Sequence, residues 1–335
     1  MGRKMYIIPI FIPHAGCRHT CTFCNQAAIS GTEVAGMDFV RAQFEDFIKH
    51  LPEKEDKEIA FYGGSFTALE EDFQINLLKY AQSNFDKYKI KSVRISTRPD
   101  CIDERTLRIL KSYSVTTIEL GVQSLDNLVL ELTQRGHDKS VVEPSVKLIK
   151  SFGIKVGIQL MIGMPGQTIE SVNNTANDVV AMRPDLVRIY SLMVIKNTVL
   201  EKSFINGDFI PLELQTSVEW AYCIWDKMQQ ANIPVVRMGL QDTDSLKEQI
   251  VAGAYHPAFG ELVVQYHYKL ELESKIEQIK EREISIKYPP NLASKIIGER
   301  KKNKNYIADK FRDKKFFWGI DYTLKELKVF GRLAD

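Results

Sequence analysis

The chain has 335 residues, 44% of them hydrophobic and 26% charged, an ordinary globular balance that is long enough for one barrel with an appendage or for two domains. It contains no low-complexity tract and no internal repeat. The apolar run over 5–13 is too short to span a bilayer and lacks a small-residue cleavage site, so it reads as a buried strand. The net charge of +2 conceals an asymmetry: residues 287–335 hold 13 Lys or Arg against 6 Asp or Glu, while residues 1–286 are net −5.

Short β-branched or aromatic runs alternate with longer amphipathic segments, the pattern of βα units and a parallel sheet. Strands are predicted over 6–12, 58–62, 92–96, 117–122, 155–162 and 185–191. Helical stretches lie between them, with apolar residues three and four apart, such as Phe73, Leu77, Leu78 and Ala81. Six such units predict an α/β fold, a partial (β/α)6 barrel. Residues 211–231 read as the last barrel helix, so the barrel is expected over 1–237. A C-terminal α+β extension is expected over 238–335, with a charged helix at 268–283 and a basic tail.

The first strand runs into Gly16-Cys17-Arg18-His19-Thr20-Cys21-Thr22-Phe23-Cys24-Asn25, which places three of the five cysteines in a C-x3-C-x2-C spacing. Thiolates are the usual ligands of a [4Fe–4S] cube, and three on one short loop leave one iron open to a small molecule. A disulfide framework suits a small secreted domain with an even cysteine count, and a zinc site needs a second Cys or His pair at finger or ribbon spacing; neither condition is met. Free thiols and an oxygen-sensitive cluster both point to a reducing cytoplasm.

In barrels of parallel strands the site forms at the strands' C-terminal ends, and polar or glycine residues follow each predicted strand here. They are Tyr62-Gly63-Gly64-Ser65-Phe66-Thr67, Ser96-Thr97-Arg98-Pro99-Asp100, Gly121-Val122-Gln123-Ser124 and Gly163-Met164-Pro165-Gly166-Gln167-Thr168. One such residue alone is a turn former or cap; several in register behind a cysteine loop suggest a ligand pocket. Gly63 and Gly64 allow close backbone approach, Ser96, Gln123 and Gln159 offer hydrogen bonds, and Arg135 offers a cation for a carboxylate.

The cysteine loop resembles that of the radical S-adenosylmethionine (SAM) superfamily. These strand-end segments, together with Gln134-Arg135-Gly136-His137, Gly239-Leu240-Gln241 and Tyr255-His256-Pro257-Ala258-Phe259-Gly260-Glu261, resemble the radical-SAM part of the catalytic subunit of Elongator. More loosely they resemble oxygen-independent coproporphyrinogen III oxidase. The resemblance covers roughly residues 5–270. It implies that Cys17, Cys21 and Cys24 ligate the cluster, that Phe23 and the turn at Gly163 lie beside the adenine, and that Gly63, Gly64, Ser96, Gln123, Arg135 and Gln159 line the SAM pocket.

It also implies an electron from a reduced flavodoxin or ferredoxin, and cleavage of SAM to methionine and a 5′-deoxyadenosyl radical that takes hydrogen from substrate. The spacing of the first two cysteines is shorter than in Elongator, and no acetyltransferase domain follows within these residues, which points away from wobble-uridine carboxymethylation. The resemblance and the basic tail, with Tyr306, Phe311, Phe316, Phe317, Trp318 and Tyr322 interleaved, suggest an enzyme that acts on tRNA. The alternatives are a radical enzyme for a small molecule or protein, and a non-catalytic iron–sulfur protein that binds SAM. Cys101 and Cys223 read as buried thiols, and His256 as either a turn residue or a site histidine.

Overall fold

The computed structural model describes residues 5–12, 17, 19–25, 36–240 and 244–332. Twelve strands are assigned: β1 (Tyr6–Ile12), β2 (Lys57–Gly63), β3 (Ile90–Thr97), β4 (Val115–Gln123), β5 (Lys155–Ile162), β6 (Leu186–Ser191), β7 (Met193–Ile195), β8 (Val235–Met238), β9 (Ile250–Gly253), β10 (Glu283–Tyr288), β11 (Lys315–Ile320) and β12 (Lys328–Gly331). Seven of them form one parallel sheet in the order β1-β2-β3-β4-β5-β6-β8. This is the curled partial barrel expected from the sequence, with one strand more than the six predicted. The extra strand is the short Val-Val-Arg-Met segment after helix Leu214–Gln230.

The strands form because one face of each is aliphatic and the crossover helices cover that face. Ile59, Val93, Ile95, Ile118, Leu120, Val156, Ile158, Leu160, Val187 and Ile189 are fully buried in a single core with helix residues Phe44, Leu77, Leu107, Ile149 and Val179. Each such side chain contributes roughly 1.5–3 kcal/mol through removal from water.

The other sheet face, toward the inside of the curl, is polar. Register places Glu58 beside Ser92, Ser96 beside Glu119, Gly121 beside Gln159, Gln159 beside Arg188, and Arg188 beside Arg237. Charged side chains therefore fill the barrel's interior, where aliphatic layers are the common arrangement.

Helix Phe259–Glu277 starts nine residues before the predicted 268 and links two cores: Phe259 and Val263 belong to the first, Leu272 and Ile276 to the second. The second core lies beneath a three-stranded sheet of order β11-β10-β12, and the predicted basic tail is this sheet with helix Lys302–Lys310. Tyr306, Phe311, Phe316 and Trp318 pack on Leu272, Ile276, Ile284 and Ile286, so four of the six expected stacking aromatics are occupied in packing. Lys314 donates to the carbonyls of Ile279 and Glu281 at 2.7 and 3.0 Å, which ties it to the fold. Among the described residues, no helix is long and apolar enough to cross a membrane.

Candidate active site

Strand β1 delivers the chain to the cysteine loop, and the loop is pinned from three sides. Thr22 N–H donates to Thr133 O at 3.1 Å, and Leu200 N–H donates to Thr22 O at 2.8 Å. The His19 ring lies against Gly136, whose φ of +70° and lack of a side chain leave room for it; a Cβ there would meet the ring at 2.4 Å. Cys24 N–H donates to Cys21 O at 3.0 Å, turning the backbone so that both thiols stay on one short arc. Cys21 is buried, and Cys17 and Cys24 are half-buried. Cys17 Sγ lies 3.7 Å from Ser65 Oγ, on the glycine loop after β2.

The loop meets the rest of the site through Arg135. Its Nη1 donates to Cys21 Sγ at 3.1 Å, and its Nη2 donates to Gly121 O at the end of β4. Next to it, a register shift between Gly121 and Gln123 breaks the regular β4–β5 ladder, and Gln123 takes a left-handed φ of +67°. Such strain in a non-glycine residue is stored where a side chain must be aimed. Buried Gln123 Oε1 and Arg135 Nε both lack a hydrogen-bond partner among the described residues.

One free acceptor and one free donor, on two side chains that both lie against Gly121, are what an α-amino acid group needs: an ammonium for the amide oxygen and a carboxylate for the guanidinium. A guanidinium touching Cys21 also offsets thiolate charge. The donor set thus fits an iron–sulfur cluster with an amino-acid ligand beside it. Among the described residues no three His, Cys, Asp or Glu side chains are grouped to hold a single metal ion, and a cube asks instead for thiolates at separate irons.

The remaining predicted residues lie around the same barrel end. Gln159 Nε2 stands 3.4 Å from Ser96 Oγ and donates to Glu119 Oε2 at 3.1 Å, so β3, β4 and β5 are joined across the lumen. Gly63 has φ +107°, and a Cβ there would sit 2.6 Å from Ile12 O; Gly64 N–H donates to that same carbonyl at 2.9 Å. Gly163 N–H is taken by Gln167 Oε1 at 2.7 Å, closing the turn after β5. Phe23 is buried in an apolar cluster with Met164, Val129 and Leu200, directly beside that turn.

His256 resolves as a turn residue. Its Nδ1 accepts from Ala258 N–H at 3.1 Å, ahead of the helix that begins at Phe259. Cys101 is half-buried in the turn after β3, where its carbonyl accepts from Thr67 Oγ1 at 2.6 Å; Cys223 is half-buried in helix Leu214–Gln230.

The network around Glu119 is absent from the sequence reading. Glu119, fully buried on β4, accepts from Arg94 Nη1 at 2.6 Å and from Arg188 Nη2 at 3.0 Å, with Arg188 Nε at 2.6 Å from its other oxygen. Arg94 also donates to Glu58 at 2.8 Å, Ser92 donates to Glu58 at 2.9 Å, and Arg188 donates to Tyr62 OH at 2.9 Å. Burial alone would raise the Glu119 pKa, but Arg188 and Arg94 outweigh it and hold the carboxyl below its ordinary range. Burial pushes the Tyr62 hydroxyl well above the ordinary tyrosine range. The lumen therefore holds fixed charges whose orientation reaches the site through Gln159. In the sequence these charges, at 58, 94, 119 and 188, sit within largely apolar or neutral runs, with Lys57 and Lys91 as further charges on β2 and β3.

The Radical SAM superfamily model matches residues 11–179, and the Radical_SAM C-terminal domain model matches residues 184–269. The chain belongs to the radical SAM superfamily. It is an enzyme of the radical SAM class, whose cofactors are a [4Fe–4S] cluster and SAM. A tRNA uridine(34) acetyltransferase of Methanocaldococcus infernus is 27% identical over 319 residues, covering 82% of this chain and 58% of the relative. The heme chaperone HemW of Lactococcus lactis is 26% identical over 184 residues, covering 55% of this chain and 48% of that protein.

Among solved structures, the archaeal Methanocaldococcus infernus Elp3 with an N-terminal deletion superposes with a TM-score of 0.62 at 25% identity, covering 81% of this chain and 64% of that one. Coproporphyrinogen III oxidase of Escherichia coli shares the fold, with a TM-score of 0.50 at 18% identity, over 68% of this chain and 53% of that one. The chain thus spans between about half and two thirds of the length of these radical SAM relatives.

Proposed function

We propose that Cys17, Cys21 and Cys24 hold a [4Fe–4S] cluster, that the barrel end beside them binds SAM, and that the enzyme modifies RNA, with tRNA as its substrate class. When bound, the reduced cluster and SAM supply methionine and a 5′-deoxyadenosyl radical. The chain's own residues bind, orient and exclude. Arg135 donates to the SAM carboxylate and Gln123 accepts from its ammonium. Ser96 and Gln159 face the ribose hydroxyls, Phe23 and the Gly163 turn flank the adenine, and Gly63-Gly64 lets backbone approach. The Glu119 network keeps Gln159 in one orientation, because a charge held by two arginines in a dry lumen has no alternative arrangement of similar energy.

The observation that carries this reading is the pair of buried, unpartnered atoms, Gln123 Oε1 and Arg135 Nε, next to a thiol touched by the same arginine. A tRNA substrate is supported by the likeness to the archaeal tRNA uridine(34) acetyltransferase over 82% of this chain, and by the +7 balance of residues 287–335. A flavodoxin or ferredoxin supplies the electron, and a reducing cytoplasm suits the free thiols.

The test is anaerobic incubation with SAM, reduced flavodoxin and total RNA, followed by nucleoside mass analysis. A new mass in tRNA nucleosides that depends on SAM supports the proposal. SAM cleavage with unchanged nucleosides moves the substrate to small molecules or proteins. Tight SAM binding with no cleavage at all leaves a binding protein, a role the heme chaperone relative makes relevant.

A further inference from the structure

The three-stranded sheet of residues 283–331 lies beyond both matched family models, which end at residues 179 and 269. Its inner face, Ile284, Ile286, Tyr288, Phe316, Trp318 and Val329, packs into the second core. Alternation along the strands puts the intervening residues on the outer face, and the register orders them in rows. Glu283 pairs with Lys315; Ser285 lies between Phe317 and Phe330; Lys287 lies between Gly319 and Lys328.

Two aromatic rings thus stand on the flanking strands, separated by two interstrand spacings, about 10 Å. Neither ring belongs to the second core, and Phe330 is 48% exposed.

Cations lie over the Phe317 ring. The Arg332 guanidinium lies 4.0 Å from the Phe317 ring centre, and Lys315 Nζ lies 4.9 Å from it. The Lys287 chain lies across Gly319, where a Cβ would meet its Nζ at 2.6 Å, so the glycine lets the ammonium rest flat on the sheet. Lys315 is paired with Glu283 and Lys328 with Glu326. Neither Lys287 nor Arg332 is ion-paired among the described residues. One exposed ring and one half-buried ring, with unpaired cations on the same face, match a polyanion that also carries flat apolar faces.

We infer that this face is a binding platform for single-stranded RNA: Phe317 and Phe330 stack on unpaired bases, and Lys287 and Arg332 meet the phosphates on either side. A duplex cannot use it, because its bases are already stacked on each other. The inference deepens the RNA reading above and rests on it. It assigns the grip to the sheet's outer face, whereas Lys314 and the core aromatics of the same region are committed to the fold.

The test is fluorescence anisotropy of the full chain with a short labelled single-stranded RNA, the matching duplex, and anionic phospholipid vesicles as competitor. Phe317→Ala and Phe330→Ala should each weaken single-strand binding about 5- to 100-fold while leaving the salt dependence unchanged, since stacking releases no counterions. Lys287→Glu with Arg332→Glu should flatten the salt slope, and Phe317→Tyr should retain binding. Formation of 5′-deoxyadenosine should be unaffected in every variant. Unchanged affinity in both alanine variants, a preference for duplex, or displacement of RNA by vesicles alone would overturn the platform while the RNA reading stands on other surfaces. Absence of any RNA binding by the unaltered chain would overturn both.

Discussion

Replacing Glu119 by Ala is the sharpest perturbation of the barrel. The carboxylate is fully buried and takes contacts from Arg94 Nη1 at 2.6 Å, Arg188 Nε at 2.6 Å, Arg188 Nη2 at 3.0 Å and Gln159 Nε2 at 3.1 Å. After its removal Arg94 retains Glu58, but Arg188 retains only neutral hydroxyls, those of Tyr62 and Tyr190. Removing one partner of a buried pair leaves an uncompensated charge at a cost of about 3–5 kcal/mol. For a chain of this length each kcal/mol lowers Tm by roughly 2 °C, so the midpoint should fall by about 6–10 °C.

Thermal unfolding followed by the fluorescence of Trp220 and Trp225, which sit in a barrel helix, is the assay. Glu119→Gln keeps the shape and one acceptor and should fall between the two. It should also weaken SAM binding, because Gln159 loses the charged acceptor that orients it. A loss below about 1 kcal/mol in Glu119→Ala would refute the reasoning, since it would mean that water enters the lumen and screens the arginines.

Gln123→Ala or Arg135→Ala should each weaken SAM binding about ten- to a hundredfold in equilibrium dialysis, the worth of one charge-assisted hydrogen bond, with iron content unchanged; undiminished affinity in both would misplace the pocket. Gly63→Ala, with φ +107° and a Cβ 2.6 Å from Ile12 O, should cost several kcal/mol, whereas Gly153→Ala, at φ +71° with nothing within 4 Å, should cost about 1 kcal/mol; equal losses in urea melts would contradict the crowding argument. Stability should fall on acidification. Burial lowers the His137 pKa below 6.5, so its stabilising neutral form is lost as the pH drops through the folded value. Glu119 and Asp100 are held below 4.5 and 3.8 by their arginines despite burial, so their contribution, complete above those values, disappears as the pH falls further. A His137→Gln variant whose Tm profile between pH 7 and 5 matches the unaltered chain would remove the histidine from this account.

The strand pattern was legible because parallel strands covered by helices read as short aliphatic runs; the 6–12 and 155–162 strands coincide with β1 and β5. The position of the candidate site was legible for a similar reason, since polar residues immediately after such runs can only lie at one end of the barrel. The lumen was not. Glu58, Arg94, Glu119 and Arg188 sit within the runs, and only register across five strands shows that they face one another. The short β8 strand fell below any periodicity signal. In 287–335 the lysine count masked the alternation of Glu-Ile-Ser-Ile-Lys-Tyr and Lys-Phe-Phe-Trp-Gly-Ile, which divides one sheet into a packed face and an open one.

The central claim is that three thiols on the loop after β1 support radical SAM chemistry. Its most direct measurement is 5′-deoxyadenosine formed from SAM by the anaerobically reconstituted, dithionite-reduced chain, with iron and sulfide counted in the same sample. The account predicts product and about four irons per chain, with both lost in Cys17→Ala, Cys21→Ala and Cys24→Ala and both kept in Cys101→Ala and Cys223→Ala. Full iron content and undiminished product in the three loop variants would contradict it.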